Sequence, residues 1–408
     1  MMFGSEPFAG TITERPTGIT SGGGSPCRPT RGCSARVNCP GGSFPITRRT
    51  SAPSRRSAAA WSSACSTTAP QKDHENGTTI PTFILVILSR RHAAPLRQTG
   101  CVRLEGIHHI TLITGDAPRN VDFYTRVLGL RLVKKTVNQD DPTVYHLFYA
   151  DEAASPGADI TFFEYPGARR GRPGAGMIHT IVYRVASAEA LDFWSERLRA
   201  EDVRVERPEG AVVFRDPEGV GFELRVVATD DEPLVAEHPE IPRELALQGF
   251  DGVRAYSAAP ERSRPALEQA LGFTPLGEGA WEARGESRGG WIAYDPPPEE
   301  RGVGGAGTVH HVAWGTLDAD QEAWRQRVAQ VGLQPTEVID RFWFRSVYFR
   351  EPSGVLFELA TMGPGFAVDE DPERLGEALI LPPAFEHLRE RIEPVLTPLP
   401  NPRESWPT

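Results

Sequence analysis

Arg215-Asp216-Pro217-Glu218-Gly219-Val220-Gly221-Phe222-Glu223-Leu224 and Arg350-Glu351-Pro352-Ser353-Gly354-Val355-Leu356-Phe357-Glu358-Leu359 are two versions of one phrase, 135 positions apart. Each reads as a strand, a tight turn carrying Pro and Gly, and a second strand with a Glu between apolar residues. Upstream of each stands a strand with histidine: Met177-Ile178-His179-Thr180-Ile181-Val182-Tyr183 and Thr308-Val309-His310-His311-Val312-Ala313-Trp314. Between strand and hairpin the apolar spacing becomes helical. Leu191, Trp194 and Leu198 share one face, as do Trp324, Val328 and Val331. The unit is therefore β-α-β-β-β. A repeat outranks local signals, because one such unit cannot bury its apolar face alone.

Two weaker copies complete the pattern. One starts at Ile107-His108-His109-Ile110-Thr111-Leu112, with a helix near 119–127 and a last strand Ile160-Thr161-Phe162-Phe163-Glu164. The other runs from Gly249-Phe250-Asp251-Gly252-Val253 to Trp291-Ile292-Ala293-Tyr294, without His or matching Glu. The predicted fold is α+β: four βαβββ modules pairing into two cup-like half-barrels. Along the chain, 104–235 holds modules one and two, and 245–364 holds modules three and four. An acidic, Pro-rich tail with one helix near 383–392 fills 365–408.

The chain has 408 residues and a net charge of −10. Residues 1–100 carry +8 and the rest −18, which argues against a nucleic-acid partner. Cys27, Cys33, Cys39, Cys65 and Cys101 all lie at or before position 101. The body therefore has no disulfide and no thiolate ligand, and a reducing cytoplasm is the default compartment. Residues 1–103 are rich in Ser, Gly, Thr, Pro and Arg without periodicity, and are expected to be a disordered extension. Their acid-poor makeup also suits a transit peptide. Cys27, Cys33 and Cys39 lack the paired spacing of a zinc site. The preference for Arg over Lys suggests a GC-rich gene, in which an open frame can precede a true start near Val102. The apolar run 83–88 is too short to cross a membrane.

Two His-His pairs, His108-His109 and His310-His311, sit at equivalent places of the repeat. Successive strand residues point to opposite faces, so one His of each pair can line a cup. Glu358 lies among apolar residues, where an unpaired carboxylate is costly. A metal would offset that cost, and so would an ion pair with Arg341, Arg345 or Arg350. Glu223, with the single His179, reads as a decayed, metal-free copy. Two His and one carboxylate suit iron(II), and can also suit manganese or zinc.

The stretches His108-His109-Ile110-Thr111, Asn120-Val121-Asp122-Phe123-Tyr124, Leu128 to Asn138 and Asp140-Asp141-Pro142 resemble the hydroquinone and chlorohydroquinone ring-cleaving dioxygenases of the vicinal oxygen chelate superfamily. So do His310-His311-Val312-Ala313-Trp314, Asp340-Arg341, Phe344 to Pro352 and Gly354 to Glu358. The resemblance covers residues 105–400. It implies a metal, normally Fe(II), held by His109, His311 and Glu358, so modules one and four must share a cup. It also implies that His108, His310, Thr111, Arg341 and Tyr348 touch substrate or support the ligands. Thr111 lies two residues from His109, on the same strand face. A hairpin centred on Ser353 sets Tyr348 opposite Glu358. Arg341, His108 and His310 have the wrong strand parity to face the cup without a bend or bulge.

The expected activity is ring cleavage of a hydroquinone-like aromatic diol by O₂, with Fe(II) as cofactor and Mn(II) as the lesser choice. Trp314, Phe342 and Trp343 are candidate pocket aromatics. No nucleic acid or membrane partner is expected, and a homo-oligomer is compatible with the sequence. One departure is Glu164. As a fourth ligand it would suit a glyoxalase-like isomerase or lyase. A non-enzymatic binding cup is the third reading, but it has no need for His109, His311 and Glu358 together.

Overall fold

Four β-α-β-β-β modules follow one another along the chain, as the repeat predicts. Module one comprises β1 (Ile107–Thr114), α1 (Ala117–Asp122, widening into a looser turn to Val127), β2 (Arg131–Asn138), β3 (Asp141–Ala150) and β4 (Asp159–Glu164). Module two comprises β5 (Ile178–Val185), α2 (Ala188–Ala200), β6 (Val205–Glu206), β7 (Ala211–Arg215) and β8 (Gly221–Val226). Module three comprises β9 (Phe250–Tyr256), two short helical turns, β10 (Thr274–Gly277), β11 (Ala280–Arg284) and β12 (Gly289–Asp295). Module four comprises β13 (Thr308–Thr316), α3 (Gln321–Gln330), β14 (Ile339–Asp340), β15 (Arg345–Arg350) and β16 (Leu356–Thr361). The structure is a computed structural model that describes residues 102–404 and 406. The expectations for residues 1–101 lie outside the described residues.

The strands form two eight-stranded sheets, ordered β14-β15-β16-β13-β1-β4-β3-β2 and β10-β11-β12-β9-β5-β8-β7-β6. Module four thus joins module one, and module three joins module two. Each sequence half gives one module to each sheet. At the centre of each sheet two first strands pair antiparallel, β1 with β13 and β5 with β9. Each first strand also runs parallel to the last strand of its own module, which the intervening helix makes possible. Each sheet curls into a half-barrel.

The repeated hairpin owes its shape to its acid and its glycine. Asp216 Oδ1 accepts from the amides of Glu218, Gly219 and Val220. Glu351 accepts from those of Ser353 and Val355. Gly219 and Gly354 take φ +102° and +106°, where a side chain would be strained. The helices bury the predicted faces. Ser187 caps α2 by accepting from Ala190 N at 3.2 Å, and Leu191, Trp194 and Leu198 are buried. Each such side chain contributes about 2–3 kcal/mol. Val331, expected beside Trp324 and Val328, lies past the end of α3 and is only half-buried.

The tail carries one helical stretch, shifted from the expected 383–392: contiguous short turns Glu386–Leu388, Arg389–Ile392 and Glu393–Val395, beginning after Pro382-Pro383, which cannot supply helical N–H groups. The tail lies along the edge strand β2: Ile380 N donates to Lys135 O, and Lys135 Nζ to Leu399 O. It thereby covers an edge that would otherwise offer free ladder groups. Among the described residues, no helix is long and apolar enough to cross a membrane.

Candidate metal centre

The pairing of β1 with β13 brings His109 and His311 together, their Nε2 atoms 3.3 Å apart. Glu358 stands on β16, beside β13. Its Oε2 lies 3.2 Å from His109 Nε2 and 2.8 Å from His311 Nε2. All three residues are at most 3% exposed. Three adjacent corners of an octahedron with ligand bonds of about 2.1 Å are about 3 Å apart. The three donor atoms have that spacing.

Glu358 Oε2 is buried without a hydrogen bond. The Nε2 atoms of both rings stand against it. Glu358 Oε1 accepts from Ser346 Oγ at 2.5 Å. The alternative ion pairs do not form: Arg341 pairs with Asp140, Arg345 with Asp318, and Arg350 donates to Gly354 O. Burial raises the pKa of the Glu358 carboxyl, but the adjacent imidazoles of His109 and His311 outweigh burial and hold it well below the ordinary carboxylate range. The site thus offers an anionic oxygen and two imidazole nitrogens converging on one point, a set that fits a divalent metal.

His108 fixes the tautomer of His109. His108 Nε2 lies 3.1 Å from the Thr361 carbonyl, which can only accept, so His108 carries its proton there. His108 Nδ1 is then an acceptor, 2.9 Å from His109 Nδ1. His109 must donate to it, which leaves His109 Nε2 with a free lone pair. His310 Nδ1 lies 2.7 Å from His311 Nδ1. The strand parity that argued against these contacts is broken twice. His108 and His310 are each the extra residue at an irregularity of the β1–β13 ladder. Neither lines the cavity. Both stand behind a candidate ligand and orient it.

The cavity over the three donors is lined by His146, Phe148, Phe163, Trp343, Phe344 and Tyr348. Asn138, Gln139, Asp140 and Arg341 stand at its mouth. Tyr348 lies directly across the ladder from Glu358, with its ring edge-on to His311. Burial and the Glu358 carboxylate push its phenol pKa up, so it stays protonated. Arg341 reaches the mouth from the bend after β14. It makes two 3.0 Å bonds to Asp140, and its guanidinium lies 5.6 Å from the Tyr348 ring centre. Thr111 is fully buried and outside the wall, where its hydroxyl accepts from Thr161 Oγ at 2.8 Å. Of the three candidate aromatics only Trp343 lines the cavity. Trp314, three residues after His311, points to the opposite face and packs against Phe273 and Phe357. Phe342 packs on Trp343.

Two residues that matter here were not singled out from the sequence. His146 faces the cavity from β3, and its Nε2 lies 2.9 Å from Thr161 Oγ1. Thr161 occupies the place in module one that Glu358 occupies in module four. Ala313 pairs with Glu358 as Thr111 pairs with Thr161, and the axis relating His109 to His311 exchanges the two pairs. A fourth ligand would therefore come from position 161, which holds a hydroxyl.

Glu164 is three residues further on, and its Oε1 accepts from Ala117 N and Thr397 Oγ1. It caps the first turn of α1 and binds the tail. Glu164→Gln is expected to retain the full metal content, read by elemental analysis, and to lower stability by about 1 kcal/mol through the weakened cap. Loss of metal in that variant would restore the four-ligand reading.

In the second sheet the register puts Gly252 and Thr180 where the first has His109 and His311. A Cβ at Gly252 would collide with the Trp291 indole, which fills the space. Glu223 lies near Arg225, and His179 pairs with Asp295. Among the described residues, only His109, His311 and Glu358 form a metal-ligating group. A larger surface cleft borders α1 and β7, but Arg126 there is paired with Asp122 and Glu201.

Sequence comparison agrees with this construction. The profile of the Glyoxalase/Bleomycin resistance protein/Dioxygenase superfamily matches residues 106–224 and 250–359. The chain belongs to that superfamily. It is 42% identical over 301 residues to MhqO of Bacillus subtilis (strain 168), named as a ring-cleaving dioxygenase, covering 72% of this chain and 96% of that one. It is 34% identical over 309 residues to the chlorohydroquinone/hydroquinone 1,2-dioxygenase of Sphingobium indicum, covering 71% and 95%. A crystal structure described as a dioxygenase from Bacillus subtilis subsp. subtilis str. 168 is 40% identical. It superposes with a TM-score of 0.69, covering 73% of this chain and 98% of that one.

Proposed function

We propose that this member of the superfamily is an iron(II)-dependent ring-cleaving dioxygenase that opens a hydroquinone-like aromatic diol with O₂. The observation that carries the reading is the donor set: two imidazoles and one carboxylate, with a hydroxyl at the fourth place. Three ligands leave adjacent positions for a diol oxygen and for O₂, as a facial triad does. The names of the relatives, which share 34–42% of the sequence, support the same chemistry.

His109, His311 and Glu358 would hold the metal. When bound, iron(II) would lower the pKa of a diol hydroxyl and pass electrons from the ring to O₂. The aromatic lining, Phe148, Phe163, Trp343 and Phe344, would hold the flat ring and keep water out. His146 would take the hydroxyl proton. Thr161 donates to Thr111, so His146 Nε2–H donates to Thr161 and Nδ1 keeps its lone pair. The protonated Tyr348 and the Arg341 guanidinium would donate to oxygens that become anionic as the ring opens. Both oxygen atoms of O₂ end in the ring-opened acid.

The protein, loaded anaerobically with Fe(II), is expected to consume one O₂ per ring when given a hydroquinone. An oxygen electrode and product mass spectrometry read this. No uptake with any diol or hydroquinone in a panel would overturn the reading.

A further inference from the structure

Beyond residue 100 the chain has two lysines, Lys134 and Lys135. Lys135 serves the tail. Lys134 has no role in the site as described, yet it is fully buried on the face of the sheet that carries the metal centre. Lys134 pairs with Phe148, Phe148 with Thr161, Thr161 with Thr111 and Thr111 with His311. The cation thus stands at the outer end of the row of residues that ends on a candidate ligand.

Its surroundings form a cage around one wall of the cavity. Lys134 Nζ lies 5.0 Å from the Trp343 ring centre and 5.7 Å from that of Phe366. It donates to Asp369 Oδ1 at 2.8 Å and to Phe366 O at 3.2 Å, and pairs with Glu370. Asp369 in turn accepts from Trp343 Nε1 at 3.1 Å. The backbone of the same loop is tied as well, since Gly365 N donates to Trp343 O. A buried ammonium with two carboxylates and two ring faces is held in one place. The indole that shares the Asp369 carboxylate is held with it.

We infer that Lys134 is a positioning residue for substrate binding. It acts through Trp343, fixing the indole that closes one side of the cavity and so setting how tightly a substituted aromatic ring is gripped. The inference rests on the reading of the cavity as a diol site, and deepens it. Lys134 does not touch the substrate. Its effect is exerted before chemistry, on the fit of the ring, and it should therefore appear in KM and not in kcat.

The test uses full-length protein loaded with Fe(II) and a series of hydroquinones with hydrogen, methyl or chlorine on the ring. Lys134→Met is expected to raise KM about tenfold with kcat within about threefold of wild type. Metal content should stay at the wild-type level, and Lys134→Arg should recover most of the loss. Trp343→Phe should raise KM similarly, and adding Lys134→Met to it should raise KM little further, because both act through one ring. Multiplying effects, or an unaltered KM in a folded Lys134→Met protein, would overturn the inference. If Lys134→Met does not fold, Asp369→Asn with and without Trp343→Phe gives the same comparison. If wild type holds iron but opens no ring, the dioxygenase reading fails by itself. Quenching of tryptophan fluorescence by the same aromatics then measures affinity directly, and equal affinities for wild type and Lys134→Met would overturn the role of Lys134.

Discussion

Glu358→Gln is expected to abolish metal retention and to lower ring cleavage by about 10³-fold or more, because a metal contributes several kcal/mol to such a transition state. The same variant should fold normally. In the metal-free protein the carboxylate is a buried charge with one oxygen lacking any hydrogen bond. Gln keeps the acceptor for Ser346 Oγ and removes the charge. Metal-free Glu358→Gln should therefore melt below the wild-type temperature, because a carboxyl held below its ordinary pKa by His109 and His311 stabilises the fold as the anion. Added iron or cobalt at a thousandfold excess over Kd should stabilise wild type by about 4 kcal/mol and the variant by nothing. The gap between the two melting curves would widen on metal addition. Acid should act like the mutation, since protons compete for the donors. Glu358 is held well below its ordinary value, so the first protons go to the imidazoles and they set the pH of release. Metal bound by Glu358→Gln at the wild-type level, by elemental analysis, would remove Glu358 from the ligand set.

How far the sequence could be read depended on whether the deciding contact is local. The hairpin phrase around Gly219 and Gly354 was legible because acid and glycine act on amides within four residues. The pairing of modules one and four followed from the family resemblance, which implies a triad that only their union completes. Which histidine of each pair faces the site could not be read from spacing, since the answer depends on two ladder irregularities between strands 200 residues apart. The same holds for Thr161 and His146. Each looks like an ordinary polar residue in a strand, and its meaning comes from the register of β1, β4 and β3. Glu164 invites a fourth-ligand reading beside that of a strand-end Glu, because an acid at the end of a repeated last strand suggests the role of Glu358. The register shifts that role by three residues and leaves Glu164 to cap a helix. Trp314 misled for the opposite reason: it is adjacent in sequence to the ligands but points away from them.

His146→Phe is expected to lower kcat by about 10²–10⁴-fold, the usual worth of a placed proton acceptor, with metal content intact. The substitution keeps a ring between Phe148 and Phe163, whose centres lie 3.9 and 4.4 Å from that of His146. Diol affinity should therefore change far less than kcat. Burial, followed by the nearby His109, His311 and Arg341 charges, holds the His146 pKa well below 6.5. A group lowered in this way is unprotonated, and ready to accept, throughout the neutral range. The loss should accordingly be the same across about pH 7 to 8 instead of growing toward one end. Thr161→Val offers an internal check. It removes the partner of Nε2 and frees the ring to place its proton on either nitrogen, so it should cost less than His146→Phe while shifting kcat in the same direction. The double variant should be no worse than His146→Phe alone, because Thr161 acts through that imidazole. A His146→Phe protein with wild-type kcat would move the proton to another acceptor. Loss of its iron would instead make His146 a support for the metal centre.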